Sequence, residues 1–142
     1  MYRILIVEDN TTFRKTLKSI LLSRFPSVTV DEAPEGTEAW KKISTARPDL
    51  IFMDIQLPGE NGLVLTRKIR ESYPSITVII LSNHDLPEYR EIATKNGAEY
   101  FLSKEATKPS EIVELVESLS QKAQEISRSE EELEQGMDYG KD

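Results

Sequence analysis

Ile51-Phe52-Met53-Asp54-Ile55-Gln56-Leu57-Pro58-Gly59-Glu60-Asn61-Gly62 is the stretch that decides the fold of this chain. A short apolar run ends in a carboxylate. A loop bearing proline and glycine follows, and a helix is predicted to open near Gly62. An apolar run of this length bounded by turn residues reads as a strand buried on both faces. Asp54 then stands at the carboxyl end of a buried strand, the edge at which open α/β sheets bind ligands. Taken alone, Asp54 reads equally well as a loop residue or as the cap of the next helix. The segments on either side decide between those readings.

Upstream, Ile4-Leu5-Ile6-Val7 predicts a buried first strand over residues 2–8, running into Glu8-Asp9. Asn10-Thr11-Thr12 supplies helix-capping residues. Phe13, Leu17, Ile20 and Leu21 share one stripe of the helix that follows, and Pro26 stops it. Val28-Thr29-Val30 is a short second strand. Ala33-Pro34-Glu35-Gly36 turns the chain into a helix over 35–46, with Ala39, Trp40, Ile43 and Ala46 at helical spacing. Pro48 closes it, and Asp49–Met53 is the third strand. Downstream, a helix over 62–73 is expected to turn Val64, Leu65, Ile69 and Tyr73 inward before Pro74 ends it. Ile76–Leu81 is the fourth strand, and Ser82–Pro87 is a polar loop. The helix over 87–96 is weakly amphipathic, with Tyr89, Ile92 and Ala93 as its apolar residues and Asn96-Gly97 as its stop. Glu99–Leu102 is the fifth strand, followed by Ser103-Lys104-Glu105. Pro109 suits the first turn of a last helix, striped by Ile112, Leu115, Val116 and Leu119.

Five strands alternating with five helices predict parallel strands, right-handed crossovers and helices on both faces. The expected fold is a flavodoxin-like (βα)5 three-layer sandwich around a five-stranded parallel sheet of order 2-1-3-4-5. In that order the first and third strands are neighbours at the topological switch point. The carboxyl ends then gather Glu8 and Asp9, Asp54, Ser82 and Lys104 on one edge. Three carboxylates in one crevice oppose each other's ionisation. Lys104 offsets one charge, and the remainder matches a divalent cation with oxygen ligands, Mg2+ or alternatively Mn2+. A carboxylate is a competent nucleophile, and phosphoryl transfer requires of a protein mainly positioning and charge neutralisation. The set therefore suits a phosphoryl group on Asp54, with Lys104 and the Ser82 hydroxyl meeting its oxygens.

Composition narrows the alternatives. The chain has 142 residues, 38% hydrophobic and 30% charged, which fits one folded domain. It has no cysteine and a single histidine, His84, so thiolate sites and polyhistidine metal sites are excluded. Net charge is −7, and Gln121–Asp142 alone holds seven acids against three bases. No basic surface for a nucleic-acid backbone is indicated. The apolar runs are too short to cross a bilayer and no signal-peptide pattern opens the chain, so a cytoplasmic, non-membrane protein is expected. Ile112, Leu119, Ile126 and Leu133 recur every seven residues. The last helix can therefore run on as a weak coiled-coil seam over 121–133, or the stretch can be a solvated tail. Beyond Glu134, where Gly136 and Gly140 occur, a frayed tail is expected.

The acidic pair after the first strand, the Met53–Gly62 loop, Ser82, and Phe101-Leu102-Ser103-Lys104 together resemble the receiver domain of two-component response regulators over residues 1–120. Residues 121–142 then form an acidic extension. The resemblance implies that Asp54 is the phosphoacceptor and that Asp9, Asp54 and the Gln56 backbone carbonyl hold the metal. Glu8 would act through a metal-bound water. Lys104 and Ser82 would bind the phosphoryl group, and Ser82 and Phe101 would act as switch residues. Gln56 and His84 fall at positions that tune phosphoryl lifetime, although His84 by itself reads as a surface loop residue lacking an orienting partner. The resemblance also implies a histidine kinase or histidine phosphotransfer protein as donor, with a remodelled surface of the fourth helix, fifth strand and fifth helix. That surface allows a phosphorylation-dependent homodimer. The domain would not be a turnover enzyme: it would catalyse only its own phosphorylation and slow autodephosphorylation.

Asn83 stands where receivers usually carry a small residue, and Glu105 where a proline often follows the lysine. Leu81–Asp85 and Gly97–Lys104 resemble the receivers that precede LuxR-type DNA-binding domains. A stand-alone regulator or a receiver excised from a transcription factor both fit. Three other readings compete. A flavodoxin-like FMN carrier shares the fold, but Glu8-Asp9 would repel the flavin phosphate. A haloacid-type phosphatase places its nucleophile after the first strand but lacks its second aspartate here. A degenerate receiver would serve only to bind proteins.

Overall fold

A computed structural model of the chain describes residues 2–84 and 86–139. These fall into two compact units, one ending at Lys108 and one beginning at Pro109.

The first unit is a single parallel sheet with its connecting helices. In chain order it runs β1 Arg3–Val7, α1 Thr11–Arg24, β2 Thr29–Ala33, α2 Gly36–Thr45, β3 Leu50–Met53, α3 Gly62–Ser72, β4 Thr77–Ser82, α4 Pro87–Lys95 and β5 Tyr100–Ser103. All neighbouring strands are parallel, and the order is β2-β1-β3-β4-β5. Strands β1 and β3 are buried along nearly their whole length, as their unbroken apolar runs require of a sheet covered on both faces. Alternate residues divide between the two faces. Leu5, Val7, Ile51, Met53, Val78 and Ile80 join Ala39 and Ile43 of α2, Leu63, Leu65 and Ile69 of α3, and Ala93 of α4 in one core. On the opposite face Ile6, Phe52 and Leu81 meet Phe13 and Leu17 of α1.

The helix ends follow local chemistry. Asn10 caps α1, its Oδ1 accepting from the Phe13 N–H at 2.9 Å, and Asn61 caps α3 by accepting from the Leu63 N–H at 2.7 Å. Gly97, at φ +98°, ends α4 in the left-handed region.

Two expectations for this unit need correction. Strand β2 spans 29–33 rather than 28–30, so Asp31 and Glu32, left outside the expected strand, belong to the sheet. An edge strand tolerates them because Asp31 faces solvent while Arg14, Lys15 and Lys18 neutralise Glu32. Val64, expected to face inward, is 47% exposed. The buried stripe of α3 is Leu65, Thr66 and Ile69 with Gly62 and Leu63, and Val64 falls outside it.

The second unit is one helix, α5, Pro109–Tyr139. It continues past Glu134, where a frayed tail was expected, and Gly136 does not interrupt it. Glu, Gln, Lys, Leu and Ala dominate the stretch, and a lone glycine costs such a helix only about 1 kcal/mol. The expected tail at Gly140 lies outside the described residues.

Candidate functional site

The backbone itself aligns the residues singled out above. Val7 pairs with Met53, Met53 with Ile80, and Ser82 with Ser103. The next residue on each strand is held by its neighbour. The Asp54 N–H donates to the Val7 carbonyl, the Lys104 N–H to the Ser82 carbonyl, and the Glu8 N–H to the Ala33 carbonyl, each at 3.0 Å. Sheet hydrogen bonds, rather than loop packing, thus fix the roots of Glu8, Asp54 and Lys104.

Their side chains converge. Glu8, Asp9 and Asp54 each offer a carboxylate oxygen, and these oxygens lie within 4.8 Å of one another. Glu8 and Asp54 are buried, at 2% and 8% exposure, while Asp9 is exposed. Lys104 forms ion pairs with both buried carboxylates: its Nζ meets Glu8 Oε1 and lies 3.3 Å from Asp54 Oδ2. Asp54 Oδ1 accepts the Ile55 N–H at 2.8 Å. Glu8 Oε2 accepts the Asn10 N–H at 3.1 Å. Burial pushes the Glu8 carboxyl up from 4.5 to about 7, against the pull of Lys104 and the Asn10 N–H; the Asp54 charge adds to the rise. Three carboxylates facing one ammonium leave a net negative crevice of hard oxygen donors. This donor set fits a hard divalent cation.

Ser82 is fully buried at the end of β4, and its Oγ accepts the His84 N–H at 3.1 Å. That bond leaves the hydroxyl hydrogen free to donate elsewhere. His84 is half-buried, with its ring 5.7 Å from that of Tyr89, and so is less solvated than a surface loop histidine. Gln56 is exposed and bridges to Asn61 across the β3–α3 loop, where Gly59 adopts φ +77°. Phe101 packs against the core cluster; the Arg90 guanidinium lies 4.7 Å over its ring and donates to its carbonyl at 3.2 Å.

Four contributors escaped the sequence reading. Arg14 reaches back from α1 to donate to the Glu8 carbonyl at 2.7 Å. A basic residue inside the apolar stripe of the first helix was its only signal. Asn10 was read as a cap, but its N–H also orients Glu8. Gly62 sits so close to the Asp54 carbonyl that a Cβ there would lie 1.8 Å from the oxygen. Phe13 was read as a core residue, yet its ring lies 4.7 Å from Lys104 Nζ.

The sequence model of the family described as "Response regulator receiver domain" matches residues 4–117. Among curated relatives, the oxygen regulatory protein NreC of Staphylococcus carnosus is 36% identical over 105 residues, 73% of this chain and 48% of that protein. NreC of Staphylococcus haemolyticus is 35% identical over the same shares. The chain thus spans about half the length of the curated relatives it matches. Among solved structures, a CheY-like receiver domain protein from Methanospirillum hungatei superposes with a TM-score of 0.78 at 28% identity, covering 88% of this chain and 98% of that one. The signal receiver domain of a NarL response regulator from Mycobacterium tuberculosis gives 0.76 at 30% identity, covering 84% and 96%.

Proposed function

Since the chain belongs to the response regulator receiver domain family, we propose that it is a phosphorylation-driven switch whose phosphoacceptor is Asp54. The observation that carries this reading is the crevice itself: a buried aspartate after β3, flanked by two further carboxylates after β1 and held by a lysine after β5. We infer that the donor is a phosphohistidine on a sensor kinase or phosphotransfer protein. A carboxylate oxygen of Asp54 attacks phosphorus, the P–N bond breaks, and the histidine leaves with the electron pair and takes up a proton. Lys104 would move from neutralising Asp54 to neutralising a phosphoryl oxygen. The Ser82 hydroxyl would donate to a second oxygen. Asp9, Asp54 and the Gln56 carbonyl would hold Mg2+, with Glu8 behind a bound water. When bound, the ion supplies charge neutralisation of the transferring group. Hydrolysis follows when water attacks the same phosphorus and releases phosphate, at a rate that Gln56 and His84 would tune.

The readout would run through Ser82 and Phe101 to α4 and β5. Only Ala93 of α4 is buried, so that helix has few contacts to hold it in one position. Residues 1–120 would make up the receiver and 121–142 an acidic extension, which continues the last helix as far as Tyr139. The length of the relatives supports a place within a longer regulator. With a charge of −7, these 142 residues carry an overall charge that a DNA backbone would repel.

Incubation with acetyl phosphate and Mg2+ should add a single acid-labile phosphate, seen by intact mass and absent from Asp54→Asn. An unmodified wild-type chain would leave a binding-only receiver as the better reading. A flavin absorbance in the purified protein would favour the FMN carrier.

A further inference from the structure

Lys104 has three N–H donors and two carboxylate partners, Glu8 and Asp54. Its side chain is only 12% exposed, so water does not freely solvate the remaining side of the ammonium. What lies there is the face of Phe13, 4.7 Å from Nζ to the ring centroid. Phe13 is itself fixed in the first turn of α1, its N–H bonded to Asn10 Oδ1 at 2.9 Å while the Asn10 N–H is tied to Glu8 Oε2. Phe13, Asn10, Glu8 and Lys104 are thus linked in one chain of contacts. Phe13 also lines the same crevice as Glu8, Met53, Asp54 and Leu81.

We propose that Phe13 is a positioning residue for Lys104: its ring face binds the ammonium by a cation–π contact and aims it at Asp54. The ring is an uncharged partner. It therefore holds the lysine without competing for the phosphoryl oxygens and without adding a fourth negative charge. A desolvated cation over an aromatic face is more strongly held than an exposed one, because water no longer competes. The inference rests on the phosphoacceptor reading for its consequence, and on the observed contact for its existence.

The test places phenylalanine, monofluoro-, difluoro- and trifluorophenylalanine at position 13 of the full chain. Fluorine drains the ring face of negative potential while nearly preserving its volume. Phe13→Leu serves as the apolar control and Phe13→Tyr as the conservative rescue. The rate of phosphate uptake from acetyl phosphate should fall stepwise with fluorination, and about tenfold in Phe13→Leu, a loss within the range of a desolvated cation–π contact. Phe13→Tyr should restore most of it. The Lys104 side-chain 15N signal should shift stepwise along the same series, without phosphodonor. A flat fluorinated series in both measurements, with melting unchanged, would overturn the proposal and leave Phe13 as packing alone. If wild type takes up no phosphate, the phosphoacceptor reading fails. The nitrogen signal then decides the Phe13 contact by itself, a stepwise shift supporting it and a constant signal refuting it.

Discussion

At the scale of single residues, the site depends on one glycine and one carboxyl. A Cβ at Gly62 would meet the Asp54 carbonyl oxygen at 1.8 Å, a clash with backbone that no rotamer relieves. Gly62→Ala should therefore lower stability by about 2 kcal/mol or more in urea titration, in the range of overpacked cores, and weaken Mg2+ binding because Asp54 moves. Gly59 makes the contrast: it has open space around it, so Gly59→Asn meets only the strain of φ +77° and should cost about 1 kcal/mol, less than Gly62→Ala. Glu8 gives a pH signature in the metal-free chain. Its carboxyl is raised to about 7 in the folded state from 4.5, so the folded form holds the proton more tightly than the unfolded one. The contribution of that proton is full below pH 4.5 and is lost as pH rises through 7. Wild type should thus lose stability relative to Glu8→Gln across that window, by on the order of 3 kcal/mol. A constant difference between the two melting profiles would contradict it. The convergence of Glu8, Asp9 and Asp54 was legible in the sequence, because parallel strands bring their carboxyl ends to one edge. The direct pairing of Glu8 with Lys104, and the ring of Phe13 over that lysine, were not. Side-chain direction across the crevice is set by rotamers that no periodicity records.

Among the elements, β2 is where sequence pattern and structure part most clearly. Val28-Thr29-Val30 carries the apolar signal, but the strand lies at 29–33 and includes Asp31 and Glu32. Pattern reading ends a strand where charge begins. Here the charge is neutralised from α1: Arg14 at 2.9 Å, Lys15 at 2.9 Å and Lys18 at 3.2 Å all converge on Glu32. Burial raises the Glu32 carboxyl, and these three partners more than reverse that, bringing it from 4.5 down to about 2. Its stabilising effect is complete above pH 4.5 and disappears as pH falls through 2. Glu32→Gln should lower stability at pH 7 by about 1–2 kcal/mol, between an exposed and a buried ion pair. The mutant and wild-type values should converge near pH 2, as thermal melts would register. The same limit of pattern reading explains Val64: hydrophobicity suggested a core position, but the 3.6-residue period of α3 turns it to water. In α5 the misreading ran the other way, since glycine suggested an end that the surrounding helix formers override.

For the whole molecule, topology was the most legible feature. Strict strand–helix alternation leaves few ways to cover an apolar parallel sheet, and the observed order β2-β1-β3-β4-β5 follows the one expected. That order puts β1 beside β3 and so places the acidic pair beside Asp54. The chemistry of the crevice is therefore a consequence of connectivity as much as of composition. The central claim is that, of the three carboxylates gathered there, Asp54 alone takes the phosphoryl group. Its most direct test is borohydride reduction of the protein after incubation with acetyl phosphate and Mg2+, followed by peptide mass spectrometry. Reduction converts an acyl phosphate on aspartate to homoserine and so marks the acceptor permanently. The prediction is homoserine at position 54, with Glu8 and Asp9 unmodified. Reduction at Asp9, reduction at Glu8, or no reduced residue in a protein that binds Mg2+ would contradict it.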